Sequence, residues 1–154
     1  MEIFILSVLV LLNGFFALSE IALVSSKKPR LEHLRQKKKA GAAIAINLKA
    51  NSATFLSAIQ VGITLIGIVT GVYGGLAIAE DIAPIFERLP VVQIYADEIA
   101  LVLTVVLITY FSIVIGELVP KTFALSNPER IAVIVSPVIY YFSKILFPFV
   151  RVLS

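Results

Sequence analysis

Six residues, Gly116-Glu117-Leu118-Val119-Pro120-Lys121, carry an acid, a helix breaker and a base at the end of a long apolar run. A carboxylate at the edge of a membrane span is costly, and such residues mark ion or substrate pathways. Pro120 adds a backbone argument. In an α-helix the N–H of residue 120 would bond the Gly116 carbonyl; proline has no N–H, and its ring pushes that carbonyl aside. The Gly116 oxygen is therefore expected to be free beside Glu117, and a carboxylate next to an unpaired carbonyl is the start of a hard-cation site. Lys121, four residues on and on the same helical face, offers the opposing possibility that Glu117 is only ion-paired.

The elements that must position this turn are set by hydropathy. The chain of 154 residues is 59% hydrophobic with a mean hydropathy of +1.00, too apolar for a water-soluble domain. No charge occurs from Ala50 through Ala79 or from Ile99 through Gly116. Each run is long enough to cross a hydrocarbon core of ~30 Å at ~1.5 Å per residue. A third apolar run, from Ile3 to about Val24, is interrupted only by Glu20. It lacks the basic start and small-residue cleavage site of a signal peptide and is read as a retained span. The expected fold is an all-α integral membrane domain over residues 1–154. Its three spans lie near 3–25, 51–79 and 97–117, with interfacial helices near 28–49 and 128–152. The helix after Ser126-Asn127-Pro128-Glu129 has a good start signal but meets Pro137 after a short apolar stretch, so it is read as interfacial or as a half-span. The stretch 80–98, with Pro84 and Pro90, reads as a surface loop.

Charge orients these spans. Residues 27–49 hold eight Lys and Arg against Glu32 alone, whereas residues 80–98 hold five acids against Arg88. By the positive-inside rule the 27–49 loop and the C-terminus are cytoplasmic and the N-terminus is outside, in a multi-pass protein of the cell membrane. The lysines are expected to face anionic lipid head groups; spans on both sides argue against nucleic acid as the partner.

Further oxygen donors lie in the spans. Asn13 and Glu20 are seven apart and share a face, while Ser19 points roughly 100° away, so all three meet only if the helix unwinds, with Gly14 as the weak point. In the second span Ser57, Gln60, Thr64, Gly67, Gly71 and Gly74 form one stripe, and Gly67, Gly71 and Gly75 make overlapping GxxxG patterns suited to close helix packing. In the third, Thr109, Ser112 and Gly116 share a narrow face leading to Glu117. Glu20, Gln60, Glu117 and the hydroxyls are an all-oxygen set, suited to Mg²⁺, Ca²⁺ or Na⁺. With no cysteine and His33 alone in a loop, thiolate and zinc chemistry have no ligands, and no nucleophile–base pair points to an enzyme.

Three segments together, Asn13-Gly-Phe-Phe-Ala-Leu-Ser19-Glu20-Ile-Ala-Leu, Gln60-Val-Gly-Ile-Thr-Leu-Ile-Gly and Gly116-Glu117-Leu-Val-Pro120-Lys121-Thr-Phe-Ala-Leu, resemble the transmembrane domain of the CorC / cyclin M (CNNM) family of magnesium transporters. The resemblance covers nearly the whole chain. It implies a homodimer with three spans and a juxtamembrane belt per protomer, and a largely dehydrated Mg²⁺ bound in an inward-facing cavity. It also implies export of that ion, with Na⁺ as the coupling ion. Paired CBS domains normally follow in the family and are not encoded here, so the chain is expected to be the membrane half of such a protein. Carried over by motif, the metal ligands are Ser19, with nearby Ser25 as a second candidate, Glu117 and the Gly116 carbonyl. Asn13, Glu20, Ser112, Pro120 and Lys121 give support. Many members carry Asn directly after the glycine equivalent to Gly62; this chain has Ile63 there, leaving Gln60 and Thr64 as the second-span donors. The competing reading is a membrane anchor or scaffold whose polar residues only hold helices together.

Overall fold

The computed structural model describes residues 1–88, 90–91 and 93–153, with side chains through Pro148. Its helices are α1 (Glu2–Ser25), α2 (Lys28–Gln36), α3 (Ala40–Ala50), α4 (Ser52–Glu87), α5 (Ala96–Ile113), α6 (Val119–Ser126) and α7 (Pro128–Leu153). A π turn over Val114–Leu118 joins α5 to α6 without a break, and a short 3₁₀ turn, Gln93–Tyr95, precedes α5. No strand occurs among the described residues. Four helical stretches are long and apolar enough to cross a membrane: Glu2–Ser25, Ser52–Glu87, Gln93–Ser126 and Pro128–Pro148. Much of their apolar surface faces outward, with Val102, Val106, Tyr110, Phe111 and Ile113 of α5 all exposed. Such a continuous apolar face is untenable in water and normal in lipid.

Three features differ from the sequence reading. First, α4 runs eight residues past Ala79, carrying Glu80, Asp81 and Pro84 inside a helix where a loop is expected. Pro84 there frees only the carbonyl of Glu80, an exposed residue near the end of the helix. Second, the basic stretch forms two helices rather than one, turning at Lys38 in the left-handed region with φ 56°. Third, α7 continues through Pro137, which makes it a fourth candidate span by length and composition. The Val133 carbonyl that Pro137 leaves without its usual donor is approached closely by Gly41 of α3, whose missing side chain makes the room. α1 stays helical through Gly14, so Ser19 remains off the face shared by Asn13 and Glu20. That glycine is buried because Pro120 packs on it: a Cβ would sit 3.0 Å from the proline ring.

Helix ends are tied to one another at the basic end of the bundle. The last carbonyls of α1 receive the Ser26 amide at 3.1 Å and hydroxyl at 2.9 Å, and Lys49 Nζ donates to Leu23 O and Val24 O at 3.1 and 2.9 Å. These meet the orphan acceptors that any helix C-terminus leaves. Glu129, in the first turn of α7, accepts the Lys27 backbone N–H at 3.1 Å and lies 3.6 Å from Arg30. The same end holds the apolar core, where Phe16, Leu23, Leu31, Leu48, Phe55, Ile59 and Ile139 join α1, α2, α3, α4 and α7. The Phe16 and Phe142 rings pack at 4.6 Å between centroids with a tilt of 48°. α5 stands apart from this core and packs mainly on α4, so α1, α4 and α5 enclose space between them.

A candidate cation site between α1, α4 and the π turn

At the π turn the Val119 N–H reaches back five residues to the Val114 carbonyl. The widened turn accommodates Pro120 and leaves the Gly116 carbonyl to be met from elsewhere. Asn13 meets it: its Nδ2 donates to the Gly116 oxygen at 3.1 Å across 103 residues of sequence. The carbonyl therefore keeps one lone pair rather than two. α1 can approach this closely because Gly116 carries no side chain; a Cβ there would lie 3.3 Å from both Asn13 Nδ2 and Val10 O.

The hydrogen bond also orients the Asn13 amide. A carbonyl can only accept, so the NH₂ faces Gly116 and Oδ1 faces away. That Oδ1 is buried without a partner, and so is Ser112 Oγ. Both residues line a cavity of about 250 Å³ together with Thr70, Thr109 and Glu117. At ~30 Å³ per water, a cavity of that size holds an ion with several waters. Two lining residues with orphaned oxygens, together with a carboxylate, are a donor set that fits a hard cation, since each orphan otherwise carries an uncompensated desolvation cost.

Glu117 is not free. Its Oε1 accepts from Lys121 Nζ at 2.6 Å, and the same ammonium lies 3.8 Å from the Glu20 carboxylate. Lys121 thus stands between two acids on α1 and the π turn. Among the described residues no three His, Cys, Asp or Glu side chains converge as a metal cage. Any cation here would be held by one carboxylate and neutral oxygens, in competition with a tethered ammonium. Both partners are partly exposed, Glu117 at 40% and Lys121 at 29% of the side chain, so the pair is worth only roughly 0.2–1 kcal/mol. Lys121→Met is accordingly expected to tighten Mg²⁺ binding, by up to about fivefold, in a calorimetric titration.

Most of the other residues singled out from sequence lie outside this cavity. Ser19 is fully buried and its hydroxyl donates to Phe15 O at 2.6 Å within its own helix. Ser25 lies at the C-terminal end of α1, half-buried. Gln60 and Thr64 share an open groove with Ser57 on a different face of α4 and do not line the 250 Å³ cavity. Gly67 and Gly71 line that cavity with nothing within 4 Å of where a Cβ would be; Gly75 faces Val105 of α5, and the tightest contact falls on Gly74. Thr70, which also lines the cavity, was not singled out from the sequence. It sits three residues after Gly67 on the cavity face of α4, a periodicity that could have found it.

Comparison with known proteins bears on the same residues. The sequence profile of the cyclin M transmembrane N-terminal domain (CNNM) matches residues 4–154. The UPF0053 protein sll0260 of Synechocystis sp. is 45% identical over 154 residues, all of this chain and 34% of that protein. The UPF0053 protein YhdT of Bacillus subtilis is 32% identical over 153 residues, 99% of this chain and 33% of its own length. A polyamine export protein of Salmonella typhimurium is 30% identical over 76 residues, 49% of this chain and 17% of that protein. The chain thus spans about one third of the length of the first two relatives. With the profile matched from residue 4 to the last residue, the chain belongs to the cyclin M (CNNM) transmembrane domain family.

Proposed function

We propose that this chain is the ion-carrying part of a Mg²⁺ transporter, with the cation held in the cavity between α1, α4, α5 and the π turn. The observation that carries the reading is that Asn13 and Ser112, whose Oδ1 and Oγ are buried without a partner, line the same cavity as Glu117. Glu117 supplies the charge, and Asn13, Ser112 and the remaining lone pair of Gly116 supply neutral oxygens. Mg²⁺ takes about six ligands, so waters complete the shell around a partly dehydrated ion. The basic belt α2–α3 faces the cytoplasm and anionic lipid, which sets the N-terminus outside and the cavity toward the cytoplasmic half. Export driven by Na⁺, from a homodimer, follows the family expectation.

Reconstituted in liposomes, the protein is expected to move Mg²⁺, read by an entrapped dye, and Glu117→Gln to abolish the flux. A scaffold predicts no flux in either. A second reading draws on the Lys121 ammonium seated between Glu117 and Glu20, which places an alkylammonium where a polyamine amine could bind. Competition between spermidine and Mg²⁺ in a binding titration separates the two cargoes.

A further inference from the structure

Glu20, a carboxylate within the first span, has no part in the cation site as described. It lies seven residues after Asn13 on the same face of α1, and the two meet successive parts of the Gly116–Lys121 turn. Asn13 reaches the Gly116 carbonyl, and Glu20 reaches Lys121, whose Nζ lies 3.8 Å from its Oε2. Between these contacts Pro120 packs on Gly14, where a Cβ would sit 3.0 Å from the proline ring. That packing holds the start of α6 against α1 and so fixes the base of the Lys121 side chain. The ammonium at its tip stays free to move, because a lysine stem is a flexible four-carbon chain.

Lys121 has two carboxylates within reach. Its Nζ sits 2.6 Å from Glu117, and a shift of about 1 Å toward Glu20 would bring that acid into the range of a charge-assisted hydrogen bond. Glu20 is the less exposed of the two, its side chain 19% accessible against 40% for Glu117. A carboxylate held that far from water needs a counter-charge, and among the described residues Lys121 is the only cation within 4 Å of it. Glu117 lines the 250 Å³ cavity, whereas Lys121 and Glu20 do not. The ammonium therefore has an acid on the cavity side and a second acid off it.

We propose that Glu20 is a receiving seat for the Lys121 ammonium: when a divalent cation takes Glu117, the ammonium passes to Glu20. The proposal rests on the Mg²⁺ site given above and adds to it a residue that sets affinity without touching the ion. Without Glu20 the displaced ammonium is left unpaired near a doubly charged ion, and the two repel. Glu20 is thus a positioning residue whose effect runs through Lys121. A direct field of Glu20 on the ion has the opposite dependence, since it acts whether or not Lys121 is present and is strongest with no ammonium between them.

Calorimetric titration of Mg²⁺ into the purified chain, Glu20→Gln, Lys121→Met and the double variant reads this coupling. With Lys121 present, Glu20→Gln should weaken binding by about three- to fivefold, the scale of a partly exposed ion pair. In the Lys121→Met background the same substitution should change it by less than about twofold, the spread expected of independent sites. Equal or larger weakening in the Lys121→Met background overturns the proposal and makes Glu20 a ligand or a simple field. No weakening in either background also overturns it, leaving Glu20 a structural residue. Melting in the absence of Mg²⁺ verifies that each variant is folded. If Glu20→Gln is not, Glu20→Asp, whose shorter side chain reaches less far toward the ammonium, carries the same comparison with a smaller loss expected. A wild-type chain that does not bind Mg²⁺ saturably overturns the site itself and this proposal with it, whereas every other failure leaves wild-type binding intact.

Discussion

Asn13→Leu is expected to weaken Mg²⁺ binding by at least about tenfold and to lower stability by about 1–2 kcal/mol. The reasoning starts from the backbone. Pro120 supplies no N–H, so the Gly116 carbonyl loses its usual helical donor, and the Asn13 amide donates to it. Interhelical hydrogen bonds in membrane proteins average only ~0.6 kcal/mol, because the separated helices find other partners. Here the proline removes the obvious replacement, which moves the cost to the upper part of the range. Leucine keeps the branching and heavy-atom count of asparagine, so the substitution opens no cavity and the loss is that of the amide's hydrogen bond. Asn13→Asp separates the two roles of that side chain. It keeps an oxygen toward the cavity but turns an acceptor toward an acceptor, so stability should fall although a ligand atom remains. Thermal unfolding in detergent, with and without Mg²⁺, reads both effects.

Gly41→Ala is expected to destabilise the fold by about 3 kcal/mol or more, the upper end for overpacking, because the obstacle is backbone and cannot rotate away. The methyl would overlap the Val133 carbonyl, the one left without its helical donor by Pro137. α3 would have to lift off α7, and the buried Ala42, Ala45 and Leu48 would go with it. Gly67→Ala is the control. It lies in a helix of the same chain with nothing within 4 Å, and alanine there should be neutral or stabilising by roughly 0.5–1 kcal/mol through helix propensity. Melting of the two variants side by side checks the contrast.

The two prolines show how far the sequence could be read. That Pro120 releases the Gly116 carbonyl follows from local chemistry, and so does the placing of Glu117 beside it. Which donor takes that carbonyl does not, because Asn13 is 103 residues away and only the packing of α1 on the π turn brings it there. Pro137 carries the same local signal, and with the short apolar stretch before it the helix over 128–152 reads as interfacial or a half-span. The structure makes α7 long and apolar enough to be a candidate span, and a neighbouring element can accommodate a proline-freed carbonyl in a packed membrane helix. The α4 stripe fails for a different reason. At 3.6 residues per turn, Ser57 and Gly74 lie roughly 100° apart, so one nominal stripe spans two faces. Its upper part faces α5 and the cavity, while Ser57, Gln60 and Thr64 face an open groove. Gly14 was legible as unusual but not for its reason, which is the ring of Pro120 packed against it. The α5 face of Thr109, Ser112 and Gly116, by contrast, needed only helical periodicity and leads directly to the site.

The claim that Glu117 provides the charge of a Mg²⁺ site built on Asn13 and Ser112 is tested most directly by calorimetric titration of Mg²⁺ into the purified chain and into Glu117→Gln. The wild-type chain should bind saturably. The glutamine variant should bind nothing measurable while its Mg²⁺-free melting midpoint stays close to wild type, since the ion pair it loses is partly exposed and weak. Undiminished binding in Glu117→Gln would contradict the account.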